Sequence, residues 1–326
     1  MEILLTNHGS YPRIGDAPEL QRHRRAYARW ERKVITDEDF RRVEDEVTAE
    51  VIREQEAAGL DVVTDGQIRW YDPYSHFARG CSGVEINGLL RYFDTNVYFR
   101  QPVVRERIER RAPILLDEFE FARSVSPKPV KPVLTGPYTL ARGSILKGGY
   151  RTVPELTLAY AEVLALEVGD LARAGAIWIQ VDEPAVLSHP EDLEVVREAV
   201  GRLSQARGAA RIILATSFGD VAPVYEELQT FPVDYLGLDF TYSSKLPRLV
   251  HERGAALGLS LGLVDARNTK LETKEEIFPI LDLVIPRARG VVHLGPSSGL
   301  EFLPRDRARA KLQNLTTLRD AYVGRV

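Results

Sequence analysis

The stretch IQVDEPAV, at residues 179–186, joins an apolar run to two adjacent carboxylates and a proline. An unpaired charge is costly inside a strand, so Asp182 and Glu183 are expected where the strand leaves the core. Pro184 has no N–H group and cannot continue a central strand, which fixes the end of the strand to within about one residue. A helix cap needs one carboxylate rather than two, so both acidic residues are candidate catalytic groups.

Seven further apolar runs resemble this strand, and most are continuously apolar, as in strands covered on both faces. The eight predicted strands are residues 3–6, 61–64, 130–134, 177–181, 211–215, 235–238, 259–264 and 291–294. Helical periodicity lies between most of them, at residues 39–58, 154–174, 190–206 and 221–229. This alternation predicts an α/β fold, a (β/α)8 TIM barrel, with a doubly wound open sheet as the alternative.

One segment interrupts the alternation of strands and helices. Residues 80–104 contain short apolar runs separated by polar residues, a pattern typical of a β-hairpin. We therefore predict a hairpin inserted after the second strand, lying over one end of the barrel. The chain contains no linker rich in Pro, Gly or Ser, so residues 1–326 are predicted to form a single barrel domain.

Composition limits the class of function. The chain has 326 residues, a net charge of −4 and 44% hydrophobic residues, which is typical of an ordinary globular protein. We expect no nucleic-acid partner, no membrane association and a cytoplasmic location, because basic stripes, long apolar runs and a signal peptide are missing. Cys81 is the only cysteine, which excludes a thiolate-rich metal site.

Each predicted strand is followed by polar or turn residues. In a barrel these strand ends face one rim, where active sites of this fold are built. Eight polar strand ends therefore predict a polar pocket. A single Asp after a strand is more often a helix cap, and a lone histidine such as His8, His76 or His293 is more often a hydrogen-bonded structural residue.

Taken in order, these segments resemble motifs of the cobalamin-independent methionine synthase family. The resemblance covers the catalytic barrel of that family and its shorter relatives, and it runs over nearly the whole chain. The segments are NHGSYPR at 7–13, LDVVTDGQIRWYDPYSHF at 60–77, LTGPYTL at 134–140, IQVDEPAV at 179–186, GLVDARNTKLE at 262–272 and GPSSGLEFLPR at 295–305.

The resemblance implies transfer of a methyl group from a methylated folate, or from a methylcorrinoid in shorter relatives, to the sulfur of homocysteine. In that family a zinc ion holds the thiol as a thiolate. The positions that match its ligands are Ala215, Ser217, Asp239 and Ser298, of which only Asp239 could bind zinc. A zinc site normally takes three or four protein ligands, so zinc is expected for the family but its ligands are replaced here.

The resemblance also implies residues that bind the substrate. Ser10 matches the family's carboxylate-binding serine, and Asp182 matches an ammonium-binding aspartate. Gln67 replaces the family's second ammonium-binding carboxylate, and Arg267 replaces a histidine that assists proton transfer. An arginine cannot shuttle protons, although it can bind a carboxylate or phosphate. Asp65 and Asp72 are further candidate binding residues for the methyl carrier, and Asp239 is a third candidate catalytic group.

Three functions remain open on the sequence. The first is methyl transfer between a methylated carrier and an acceptor without a zinc-thiolate site, for example from methyl-tetrahydrofolate to a corrinoid protein. The second is methionine formation from homocysteine with an unconventional zinc site or none. The third is a non-catalytic barrel that binds a ligand.

Overall fold

The computed structural model of the chain describes residues 2–325. Its main sheet has seven parallel strands in the spatial order β1-β10-β9-β8-β7-β6-β4. In chain order the strands of this sheet are β1 (Ile3–Leu5), β4 (Val133–Thr135), β6 (Trp178–Asp182), β7 (Arg211–Thr216), β8 (Tyr235–Asp239), β9 (Gly258–Val264) and β10 (Val292–Pro296). The fold is the predicted α/β TIM barrel.

The predicted second strand, residues 61–64, forms single bridges rather than a ladder. Thr6 pairs with Val62 and Val63 pairs with Val130, so these bridges span the gap between β1 and β4. The backbone of Thr64 is satisfied elsewhere, because both its N–H and its carbonyl bond to the side chain of Gln55. A side chain thus takes the place of a neighbouring strand at this point.

Helices surround the sheet and largely match the predicted ones. They are α1 (Arg22–Glu31), α2 (Asp37–Ala57), α3 (Ser75–Arg79), α4 (Leu116–Val125), α5 (Pro137–Gly143), α6 (Val153–Arg173), α7 (Leu193–Ala206), α8 (Tyr225–Leu228), α9 (Leu246–Arg253), α10 (Lys274–Val284) and α11 (Arg305–Val323). Thr36 begins α2 with a capping box that includes Asp39, as expected for a helix start. Among the described residues, no helix is both long and apolar enough to cross a membrane.

The inserted hairpin is longer than predicted. Strands β2 (Cys81–Arg91) and β3 (Tyr98–Arg110) pair antiparallel, so the hairpin reaches six residues beyond the predicted end at 104. A short strand, β5 (Ile145–Leu146), adds to β3. The last six residues of β3, 105–110, are five charged residues and Ile108, so they show no apolar pattern typical of a strand.

Candidate active site

A small pocket lies at the carboxyl ends of the barrel strands, and we call it the barrel mouth. Its cavity volume is about 20 Å³, which is room for about one water molecule. Its walls come from the ends of β1, β4, β6, β7 and β10 and from the hairpin. The lining residues are His8, Ser10, Gln67, Trp70, Pro73, Tyr92, Thr135, Asp182, Ser217, Phe218, Ser298, Gly299, Glu301 and Phe302.

Asp182 is held in the barrel mouth by a chain of polar side chains. Its Oδ2 lies 3.4 Å from Nε2 of His8, and its Oδ1 accepts a hydrogen bond of 2.8 Å from Gln180. The Oε1 atom of Gln180 in turn accepts from the buried ammonium of Lys131. Burial lowers the pKa of Lys131 to about 7, although the charge of Asp182 opposes that shift. These hydrogen bonds hold the Asp182 carboxylate in place with its Oδ2 beside His8.

Glu183 is fully buried and does not line the mouth. Its carboxylate accepts hydrogen bonds of 2.8 Å from the backbone N–H groups of Tyr138 and Thr139 and 2.7 Å from the Thr139 hydroxyl. These N–H groups belong to the first turn of α5, so Glu183 caps that helix from a neighbouring strand end. Burial raises the pKa of Glu183 to about 7, and the three donors act against that shift. Gly136 permits this contact, because a Cβ there would lie 2.2 Å from Cδ of Glu183.

The mouth is also lined by three further polar residues, Ser10, Gln67 and Glu301. Gly299 packs so closely on Ser10 that an added Cβ would lie 2.0 Å from the serine Oγ. Burial raises the pKa of Glu301, and Arg13, whose Nη2 lies 3.9 Å from Glu301 Oε2, opposes the shift. Gln67 has a φ of 54°, a conformation that costs a non-glycine residue about 1–3 kcal/mol and is concentrated at functional sites.

The positions that match zinc ligands do not form a suitable donor set. Oδ1 of Asp239 accepts two hydrogen bonds from Thr241, at 2.8 and 2.6 Å, while its buried Oδ2 and the Oγ of Ser298 have no partner. Burial raises the pKa of Asp239. Ser217 offers a hydroxyl, which stays protonated, and Ala215 offers no ligand. Within residues 2–325, no group of three or more His, Cys, Asp or Glu side chains could hold a metal. The residues present do not fit a zinc-thiolate site.

Two predicted binding residues, Asp65 and Asp72, do not line the mouth. Asp72 caps α3, accepting from the N–H groups of Tyr74 and Ser75, and it also accepts from the hairpin N–H of Arg100. Asp65 faces a separate small cavity beside Glu118, where burial raises its pKa to about 6.

Arg267 does not line the mouth either. Its Nε is 3.3 Å from Asp265 and its guanidinium lies 4.1 Å from the centre of the Tyr242 ring. It lines a cavity beside the hairpin tip that shares Glu301 and Phe302 with the mouth. The residues that the tertiary structure brings together in the mouth are Ser10, Gln67, Asp182, Ser217 and Ser298, whereas Asp65, Asp72 and Arg267 do not line it.

Aromatic side chains cover the barrel mouth. Tyr92 and Phe93, at the tip of the hairpin, contact Phe218 in the loop after β7, with ring centres 5.6 and 5.3 Å apart. Phe93 and Phe218 both have positive φ angles, 46° and 63°. Phe218 also contacts Phe302. The hairpin tip therefore lies over the mouth.

Sequence reasoning missed several residues of this region. Glu301 and Lys131 gave no signal: Glu301 lies two residues beyond Gly299, and Lys131 lies inside the predicted strand at 130–134, where an apolar residue is expected. His23 is also buried, with its ring centre 5.6 Å from that of Phe40, because the face of α1 that carries it packs on α2.

The sequence profile described as the catalytic domain of cobalamin-independent synthase matches residues 6–320. The chain belongs to this family. A methionine synthase of Sulfurisphaera tokodaii is 32% identical over 94% of this chain and 88% of its own length. One of Saccharolobus solfataricus is 33% identical over 94% of this chain and 91% of its own length. The cobalamin-independent synthase family is one of methyltransferases, and this chain is a methyltransferase.

Solved structures of the cobalamin-independent synthase family share the fold. A B12-independent methionine synthase from a Shewanella species, solved with selenomethionine, matches all of this chain and 99% of its own with a TM-score of 0.81 at 18% identity. At that identity the similarity establishes the TIM barrel and nothing finer. The family resemblance found in the motifs is confirmed.

Proposed function

We propose that the chain moves a methyl group from a methylated carrier to an acceptor at the barrel mouth without a zinc-thiolate site. Two sets of residues that line one pocket carry this proposal. Ser10 and Asp182, which match substrate-binding residues of the family, line the mouth. Ser217 and Ser298, which stand where the family has zinc ligands, line it as well. A thiol has a pKa near 8.5 and needs such activation, so an acceptor that is already a nucleophile suits this pocket better.

The transfer requires a proton at the carrier. As the carbon of the methyl group bonds to the acceptor, its bond to the carrier nitrogen breaks, and that nitrogen keeps the electron pair and holds a proton. The pair formed by His8 and Asp182 is the proton donor in this proposal, because it is the one imidazole–carboxylate contact that lines the mouth among residues 2–325. Gln180 positions Asp182, and Glu183 positions α5.

Methyl-tetrahydrofolate as donor and a reduced corrinoid as acceptor satisfy these requirements. A reduced corrinoid cobalt is a nucleophile that has no proton to lose, so no metal-held thiolate is required. Covering of the mouth by Tyr92 and Phe218 would exclude water from the transfer. Asp239, the last residue of β8, does not line the mouth and has no role in this proposal.

A single-turnover experiment tests this proposal. Protein stripped with a chelator is mixed with methyl-labelled methyl-tetrahydrofolate and either reduced cobalamin or homocysteine. We expect label on cobalamin and none on homocysteine. Label that reaches homocysteine, and does so only after zinc is restored, would contradict the proposal.

Methionine formation is the second candidate, because the methionine synthases of Sulfurisphaera tokodaii and Saccharolobus solfataricus each match 94% of this chain. This candidate predicts about one zinc ion per chain after purification without chelators, with activity lost on removal of the metal. Elemental analysis joined to an assay of methionine distinguishes the two candidates.

A further inference from the structure

A second, larger cavity lies outside the barrel mouth, between α1, α2 and the segment at residues 67–79. Its volume of about 570 Å³ falls in the range of small-molecule sites. We call it the outer cavity. Its lining residues are Arg13, His23, Tyr27, Trp30, Asp37, Glu38, Phe40, Arg41, Glu44, Ile68, Arg69, Trp70, Tyr71, His76 and Arg79.

Glu44 lies in the wall of the outer cavity without a hydrogen-bond partner. The residue is only 8% exposed, and within residues 2–325 its carboxylate makes no hydrogen bond or ion pair. Burial raises the pKa of Glu44 to about 7, and the charges of Arg41 and Arg69 oppose that shift. The nearby buried Glu118 differs, because Trp70 donates to it at 2.9 Å and His76 lies 3.3 Å away. A carboxylate that lines a cavity and lacks a partner is an acceptor for a ligand, since burying it unpaired is costly.

Aromatic rings form the walls next to Glu44. Trp30 and Phe40 stack with ring centres 5.1 Å apart, and Tyr27 contacts both Phe40 and Tyr71. Trp70 stacks on His76 at 4.7 Å on the other side. Flat apolar walls of this kind favour a flat ring over a flexible chain.

Arginines stand at the open edge of the cavity. Arg79 is exposed and has no carboxylate within ion-pair distance among the described residues, and its guanidinium lies 5.8 Å from the centre of the Tyr71 ring. Arg41 reaches only the exposed Asp117, at 4.0 Å. These cations are available to an anionic group, and guanidinium groups match carboxylate and phosphate geometry.

We propose that the outer cavity binds a flat nitrogen heteroaromatic ring with an anionic tail. The ring edge donates N–H hydrogen bonds to Glu44, the ring faces contact Tyr71 and Phe40, and the tail pairs with Arg79. Two kinds of molecule share this chemistry, a pteridine with carboxylates and a purine nucleotide with phosphate. The site is separate from the barrel mouth, although Trp70 lines both and Arg13 lies between the outer cavity and Glu301.

Calorimetric titration with folic acid in one arm and GMP in the other tests the proposal. Folic acid carries no methyl group to transfer, so its binding is independent of turnover. We expect one arm to show binding, and the arm that does so identifies the class of tail. Glu44→Gln should weaken that binding at least about tenfold, because a hydrogen bond to a charged group is lost. Tyr71→Ala, at a partly exposed position, should weaken it as well without risk to the core.

Two controls separate the outer cavity from other sites. Glu46→Gln changes an exposed carboxylate on the same helix and should leave binding within about twofold. Asp182→Asn changes the barrel mouth and should remove only folic acid bound at the mouth, leaving the binding that Glu44→Gln weakens. Absence of binding by both probes would overturn the proposal, as would unchanged binding in Glu44→Gln and Tyr71→Ala. Binding that Asp182→Asn abolishes would also overturn it, while leaving the proposed methyl transfer at the mouth intact.

Discussion

Asp182 and Glu183 are adjacent in the chain but serve different parts of the structure. Asp182 lines the barrel mouth 3.4 Å from His8, whereas Glu183 is directed away and accepts three hydrogen bonds at the start of α5. Successive side chains of a strand end point in opposite directions, so two carboxylates in sequence need not share a site. Asp182 therefore faces the pocket, whereas Glu183 stabilises the start of α5.

Substitution of these two residues should separate activity from stability. Asp182→Asn should lower turnover at least about 100-fold, as expected for loss of an acid–base group, with little change in the melting temperature. Glu183→Gln should cost about 1–3 kcal/mol of unfolding free energy, because one acceptor of buried N–H groups is lost. Single-turnover assays and urea denaturation measure the two effects, and a reversal of the pattern would refute the assignment.

Gly299 should control substrate binding through Ser10. Gly299→Ala places a Cβ 2.0 Å from the Ser10 Oγ and must displace that hydroxyl. We expect KM to rise about tenfold, equivalent to one lost hydrogen bond, and Ser10→Ala to give the same rise. Gly201→Ala, in α7 with its nearest contact at 3.4 Å, is the matched control and should leave KM unchanged.

Lys131 should make stability depend on pH. Its pKa is about 7 in the folded protein and near 10.5 in the unfolded chain, so between these values the unfolded chain binds more protons. Wild-type stability therefore rises with pH over this interval, and Lys131→Met removes that contribution. Relative to the variant, the wild type should gain about 2 kcal/mol between pH 7 and 9 in urea denaturation. A difference between the two proteins that does not change with pH would contradict a neutral buried amine.

Contacts of Phe93 with Phe218 should hold the hairpin tip over the mouth. This aromatic pair contributes about 1 kcal/mol, so its loss should raise the population of molecules with the hairpin tip away from the mouth about fivefold. Phe93→Ala should therefore speed trypsin cleavage after the exposed Arg91 by about that factor. Leu89→Ala, which removes an exposed side chain from the same hairpin, should not change the rate. Equal cleavage of both variants would show that the tip is held by other contacts.

Restoring ligands should create a zinc site. Ala215→His, Ser217→Cys and Ser298→Cys, combined with the native Asp239, would supply four ligands of the types that zinc prefers. We expect about one zinc per chain in the triple variant by elemental analysis, and substantially less in the wild type. Addition of Asp239→Asn should weaken zinc binding in the triple variant. A wild type that already holds one zinc per chain would contradict the interpretation of these positions.

The barrel and its order of strands could be predicted from the sequence, because parallel strands buried on both faces produce long apolar runs and a barrel places polar strand ends on one rim. The second strand could be located but not its pairing, since the bonds of Thr64 to Gln55 join residues on different elements. The hairpin was predicted too short for a related reason. The end of β3 is set by its pairing with the start of β2, where Cys81 pairs with Arg110, and that pairing cannot be inferred from the residues of β3 alone.

Sequence by itself determined the fold, the family and the loss of zinc-ligand types at Ala215, Ser217 and Ser298, because these depend on residue identity and order. Only the tertiary structure decided which polar residues share a pocket. In the folded protein His8 lies beside Asp182, Glu183 caps α5, and Arg267 lies beside the hairpin tip. The tertiary structure also brought α1 and α2 against residues 67–79 to leave Glu44 unpaired in the outer cavity. The physical reason is that side-chain direction and partners depend on packing between elements distant in the chain.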